Sequence, residues 1–221
     1  MCATLLLVAS ASASGQLVFS LSAESDYRYR GTALNQGKPD LRLNLDLDHK
    51  SGCYAGGALT QVEFYAPRRQ AQWLAYGGCT NTLADGLSGE VGLTHTRFAR
   101  DPVYNYSELY AGVAASHWNL RLYRSPSYYG GGLRTAYLEV NAGLPIELPW
   151  RVVAHLGALR GVGGSSAPIG HERIDARLGL ATAFGDSQWQ LARVSGQPQG
   201  IYPVTRSIAR QAWVLSSTLP F

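Results

Sequence analysis

The sequence predicts an all-β protein: a transmembrane, antiparallel, up-and-down β-barrel of about twelve strands. Three observations carry this. Apolar and polar residues alternate with period two over segments of about ten residues, the length of a tilted membrane strand. Only 15% of residues are charged, against about a quarter in soluble domains, yet no run of about 18 apolar residues exists to make a transmembrane helix. The last residue, Phe221, ends an alternating segment.

From the N-terminus, Leu5-Leu6-Leu7-Val8 is a short apolar core followed by the small residues Ala9-Ser10-Ala11-Ser12-Ala13-Ser14. This pattern predicts a secretory signal over 1–13, cut after Ala11 or Ala13. A basic leading segment is missing, so the natural start is expected upstream; a buried N-terminal strand is the alternative. Residues 14–221 then form the barrel. Export implies an oxidising compartment, and a barrel implies the outer membrane of a Gram-negative cell and contact with its lipid.

The first exported segment places Leu17, Phe19, Leu21, Ala23, Tyr27 and Tyr29 on one face. Ser20, Ser22, Glu24, Asp26, Arg28 and Arg30 fall on the other. The next opposes Leu41, Leu43, Leu45 and Leu47 to Asp40, Arg42, Asn44, Asp46 and Asp48. Further strands are expected at 53–64, 70–79, 87–98, 105–114, 118–124, 134–144, 150–159, 174–184, 189–195 and 207–221. Alternate connections are short, as at Lys50-Ser51-Gly52, Ala115-Ser116-His117 and Gly185-Asp186-Ser187. The others, at 31–39, 125–133, 161–173 and 196–206, are longer and rich in Gly, Pro and Ser; the short 65–69 connection breaks the rule. An even strand number with this alternation puts both chain ends at the short-turn, periplasmic side. In the last segment Trp213, Leu215 and Leu219 share the face of Phe221, the expected signal for the barrel-assembly machinery.

The formal net charge is +4, but the arginines are scattered rather than gathered into a patch, so no nucleic-acid partner is implied. Cys2 is expected to leave with the signal. Cys53 and Cys79 are equidistant from Ala66, the centre of a tight turn, so a symmetric hairpin sets them opposite each other within reach of a disulfide. The same register pairs Glu63 with Arg69. A one-residue slip would instead part the cysteines to opposite faces. Two cysteines without neighbouring histidines make no zinc site, and no cofactor is called for.

Charge on a lipid-facing strand is costly, so the charged rows are expected to face the lumen. This nominates Glu24, Asp26, Arg28, Arg30, Asp40, Arg42, Asp46 and Asp48 as pore-lining, joined on local alternation by Glu108, Glu139, Arg151, Asp175 and Arg177. Mixed signs line either a narrow polar path for small polar solutes or a static, ion-paired interior. Three alternatives stand beside a channel: a lipid-acting enzyme, which needs a Ser–His pair with an orienting group; an adhesive or structural barrel; and a soluble β-sandwich with an apolar inside. His95, His117, His155 and His171 are present, but none sits in a catalytic motif, and no catalytic residue is assigned.

Several segments in order resemble one family. Ser25-Asp26-Tyr27-Arg28-Tyr29-Arg30-Gly31, Gly37-Lys38-Pro39, Gly52-Cys53-Tyr54-Ala55-Gly56, Tyr106-Ser107-Glu108-Leu109-Tyr110 and Ser125-Pro126-Ser127-Tyr128-Tyr129-Gly130 resemble the TorF family of porin-type proteins, the Gcw_chp group of proteobacterial outer-membrane proteins. The terminal Phe221 also fits. The resemblance implies an outer-membrane barrel called a porin by inference. It brings no agreed substrate and no catalytic residues, and the cysteine pair is not among its marks.

Overall fold

A computed structural model of the chain describes residues 15–164, 172–197 and 210–221. The expected signal at 1–13 lies outside these, as do His171 and parts of the two long loops before 172 and before 210. In chain order the β segments are β1 (Gln16–Glu24), β2 (Arg28–Tyr29), β3 (Thr32–Ala33), β4 (Asp40–Asp48), β5 (Cys53–Tyr65), β6 (Arg68–Ala84) and β7 (Leu87–Phe98). There follow β8 (Tyr106–Ala115), β9 (Trp118–Tyr128), β10 (Leu133–Glu147), β11 (Trp150–Gly164), β12 (Glu172–Phe184), β13 (Ser187–Ser195) and β14 (Gln211–Pro220). All but β2 and β3 form one closed antiparallel barrel of twelve strands, in which β1 pairs both β4 and β14. Closure leaves no sheet edge with unpaired backbone groups, the condition for a sheet to lie in hydrocarbon.

The two faces follow from the pleat, which sends successive side chains to opposite sides. On β4, Leu41, Leu43, Leu45 and Leu47 point outward and are exposed, while Asp40, Arg42, Asn44 and Asp46 are shielded inside. The same holds on β7, where Val91 and Leu93 are exposed and Glu90, Thr94 and Thr96 are buried. A soluble sandwich would show the inverse, so that alternative is set aside. Trp118, Trp150 and Trp189 are exposed beside the short turns and make an aromatic girdle at that end.

Short turns at Asp85-Gly86, Ser116-His117, Leu148-Pro149 and Gly185-Asp186 define a turn end; longer connections define a loop end. Both described chain ends sit at the turn end. Trp213, Leu215, Leu219 and Phe221 all point outward and are exposed. Phe221 donates its N–H to the Phe19 carbonyl at 2.9 Å, and the two rings lie 6.1 Å apart.

The first segment departs from expectation. Its alternation runs unbroken to Arg30, but β1 stops at Glu24. Ser25 locks onto β14, its N–H on the Leu215 carbonyl at 2.9 Å and its hydroxyl accepting the Leu215 N–H at 3.0 Å. The chain then turns into the barrel, and residues 26–35 are all buried. β2 and β3 form a small hairpin there. Tyr27 and Tyr29, expected to face lipid, are 5% and 4% exposed within the lumen. The physical reason is partnership: inside, the tyrosine rings and Arg30 meet aromatic and acidic groups that no lipid face supplies. The connection read as an outer loop is therefore a plug.

Candidate functional site: a charged lumen under a plug

The plug is held by its own tip. Arg30 and Gly31 turn the hairpin with φ of 47° and 73°, a pair of left-handed residues as a type I′ turn requires. A non-glycine residue pays about 1 kcal/mol or more for that conformation. Arg30 holds it because its guanidinium grips Glu108 with two hydrogen bonds, at 3.0 and 2.9 Å, donates to the Tyr128 hydroxyl at 3.0 Å, and lies 3.9 Å from the Tyr137 ring centre. Gly31 is needed for space as well: a Cβ would fall 2.7 Å from the Gly196 Cα and 2.8 Å from the Asp175 Cβ. Tyr29 donates to Glu108 at 3.3 Å and receives the Tyr106 hydroxyl at 3.0 Å. Arg28 and Asp26 pair with each other at 2.7 Å.

The rest of the plug is tied to β5. The Leu34 carbonyl accepts the Glu63 N–H at 2.8 Å, and Gln36 donates to the Glu63 carbonyl at 2.9 Å. The buried Glu63 carboxylate takes Lys38 at 2.7 Å and Arg69 at 3.4 Å. Phe64, Phe98 and Tyr129 stack over this region, with centroids 4.9 Å and 5.7 Å apart along the series. Tyr104, on the short turn Pro102–Tyr104, packs its edge on Phe64. The hydrogen bond with Tyr65, with burial behind it, pushes the Tyr104 hydroxyl up to about 12.

Towards the turn end the lumen opens into a polar cavity of about 190 Å³. Glu24, Arg42, Asp46, Arg121, Arg151 and Arg177 are among its lining, with Gln188 and Thr218 at the turn-end side. Its wall charges are largely answered. Glu90 takes Arg121 and the Tyr54 hydroxyl, the latter at 2.8 Å; Asp46 takes the Tyr76 hydroxyl; Arg151 donates to Gln188 at 2.9 Å. Between cavity and plug, His155 contacts Asp175 at 2.8 Å, and Tyr137 donates to the same carboxylate at 3.1 Å.

The residues nominated from sequence thus divide. Glu24, Asp40, Arg42, Asp46, Glu108, Glu139, Arg151, Asp175 and Arg177 point inward from the wall. Asp26, Arg28 and Arg30 also lie inside, but on the plug, since the strand that was to carry them ends first. Asp48, the last residue of β4, is exposed at the turn end rather than in the lumen. Of these, Glu108 joins plug to wall, and Glu139 accepts the Tyr123 hydroxyl at 3.1 Å. Glu90 and Arg121 were overlooked, although each sits between outward residues, Val91 and Leu120 among them, in a legible alternation. Cys53 and Cys79 face each other across β5 and β6 and are joined by a disulfide. His95 and Ser107 pair at 2.9 Å on the outward face; no carboxylate or amide among the described residues orients that histidine.

A family profile described as "Bacterial protein of unknown function (Gcw_chp)" matches residues 9–196. No curated protein matches the chain in sequence. Among solved structures it is similar to a KdgM porin, with 10% identity, a TM-score of 0.57, and 93% of this chain and 99% of that one covered. A KdgM porin in complex with disordered oligogalacturonate gives the same figures. At that identity the likeness speaks to the barrel fold.

Proposed function

We infer that the chain, which belongs to the Gcw_chp family of bacterial proteins of unknown function, is a porin-type channel of the TorF kind in the bacterial outer membrane, passing small polar solutes through a narrow charged lumen. The observation that carries this reading is the cavity of about 190 Å³ lined by both charge signs, which rises from the turn end and stops under the plug. A barrel serving only as a wall has no need of an internal cavity lined by charge; a channel does. The exposed apolar exterior supports a lipid setting, and the KdgM porin likeness supports the fold. On this reading the leader at 1–13 directs export, the outward row ending in Phe221 addresses the assembly machinery, the turn end faces the periplasm and the loop end faces outside.

On this reading the plug closes the outer mouth. Passage needs residues 26–35 to withdraw, while the barrel wall, sealed by its own ladder, stays in place. Both charge signs in the lining favour small zwitterionic or neutral polar solutes over either ion sign alone.

Planar-bilayer recording tests this. The wild-type protein is expected to give rare, small openings, and a folded variant lacking residues 26–38 is expected to give frequent, larger ones. A folded plug-deleted barrel that conducts nothing overturns the channel reading.

A further inference from the structure

The outward face carries an asymmetry that a channel does not require. Arg97, Arg124, Arg134, Arg160 and Arg193 all point outward and are exposed, and all lie in the loop-end half of their strands. Among the described residues, the outward positions of the turn-end half hold no lysine or arginine. Arg160 stands opposite Glu172, and Arg193 bonds Gln211. The side chain of Arg97, next to last on β7, makes no hydrogen bond or ion pair among the described residues. A cation on the lipid face costs about 2–4 kcal/mol at mid-membrane and about 0–1 near the interface, so at the loop-end interface Arg97 is tolerated and stands ready to meet an anion of that leaflet.

Beside Arg97 the barrel wall is notched. Leu45, Gly57 and Ala75 lie in one register row across β4, β5 and β6 and lead to His95 on β7. Gly57 offers no side chain and Ala75 only a methyl. The neighbouring row is tall: Leu43, Leu59 and Trp73, ending on Arg97. The result is an open apolar groove of about 860 Å³, with Arg97 and His95 in its lining. That volume is within the range of about 300–1,000 Å³ typical of small-ligand sites. His95 is fixed by Ser107 through Nδ1, and its other ring nitrogen makes no bond among the described residues.

We propose that this groove binds a phosphorylated lipid of the loop-end leaflet, an acyl chain lying along Gly57 and Ala75 and a phosphate on Arg97. The apolar floor matches a hydrocarbon chain, and guanidinium matches phosphate with two parallel hydrogen bonds. Arg68 and Arg100 are exposed and near in register, flanking the Ala71–Ala99 backbone contact above the groove, and add positive charge at the level of a headgroup. Asp101, the acid in that stretch, is engaged by Gln70. The proposal rests on the membrane setting inferred above but not on conduction.

The test is native mass spectrometry of delipidated protein in an uncharged detergent, titrated with diphosphorylated lipid A or with the same lipid stripped of its phosphates. Wild-type protein is expected to bind the phosphorylated lipid about tenfold more tightly, equivalent to about 1.4 kcal/mol. Arg97→Gln should bring the two lipids level. Ala75→Phe, which fills the notch from the outward face, should weaken both, and Arg193→Gln, away from the groove, should change neither. Equal retention of both lipids by wild type, or indifference to Arg97→Gln and Ala75→Phe, overturns the proposal. So does full displacement by inorganic phosphate, which would mark a free-anion site. None of these variants faces the lumen, so a lost lipid site with intact conductance separates failure here from failure of the channel reading.

Discussion

At the level of Glu108 the lumen is packed with tyrosine rings, a bidentate ion pair and a hairpin of the chain's own backbone; at the level of Glu90 it is a polar cavity. The same strands build both regions. What separates them is one segment that leaves the wall after Glu24 and re-enters the barrel. The wall charges behave differently as a result. Arg30 and Glu108 are each buried, with side chains 3% exposed, and besides Arg30 the Glu108 carboxylate has the longer bond from Tyr29, at 3.3 Å. Arg121 keeps 17% of its side chain exposed, and Glu90 has Tyr54 besides. The loop-end half is held by non-covalent locks between plug and wall, whereas the turn-end half is held by wall-to-wall pairs and the Cys53–Cys79 disulfide. On the channel reading proposed above, the plug is released while the wall-to-wall pairs stay in place.

Breaking the lock should have the largest effect. Arg30→Ala strands a buried carboxylate on Glu108 and is expected to cost about 3–5 kcal/mol, read from denaturant unfolding of the detergent-solubilised barrel, and to raise channel activity. Next comes the joint change Cys53→Ser/Cys79→Ser. The bridge spans 26 residues of sequence, and the chain-entropy relation gives a loss of about 3.5 kcal/mol; conductance should stay as in wild type, because the bond ties wall to wall. Arg121→Ala should cost less, about 1–3 kcal/mol, since Glu90 retains the bond from Tyr54 at 2.8 Å, shorter than the 3.3 Å bond that Tyr29 leaves to Glu108. If Arg121→Ala proves costlier than Arg30→Ala, the distinction between the halves fails. The smallest expected effect is Asp46→Asn, which leaves the fold intact and moves the ion preference of the plug-deleted channel toward anions, measurable as a reversal-potential shift in a salt gradient.

Much of the wall was legible in the sequence, because a pleated strand between lipid and water writes its two faces in alternate residues. Leu41 to Leu47 against Asp40 to Asp46 shows this, as does the register that sets Cys53 against Cys79. The plug was not legible by that rule. Ser25-Asp26-Tyr27-Arg28-Tyr29-Arg30 alternates as regularly as a wall strand, and period two does not distinguish a strand facing lipid from a hairpin packed against tyrosines. The one local signal was Arg30-Gly31: glycine one residue past the alternation, where a two-residue turn needs left-handed backbone. The partners that draw Arg30 inward, Glu108, Tyr128 and Tyr137, are 78 or more residues away in sequence, beyond the reach of any local pattern. The outward groove was hidden for a similar reason, since Leu45, Gly57 and Ala75 become neighbours only once three strands are in register.

The central claim, that the plug and not the wall closes the lumen at its outer mouth, is tested most directly by thiol labelling. Thr218→Cys places a reactive group in the turn-end cavity, in a background where Cys53 and Cys79 are serine. A membrane-impermeant thiol reagent applied to intact cells from outside is expected to leave it unmodified while residues 26–38 are present and to modify it rapidly once they are deleted. Equal labelling with and without the plug would contradict the account.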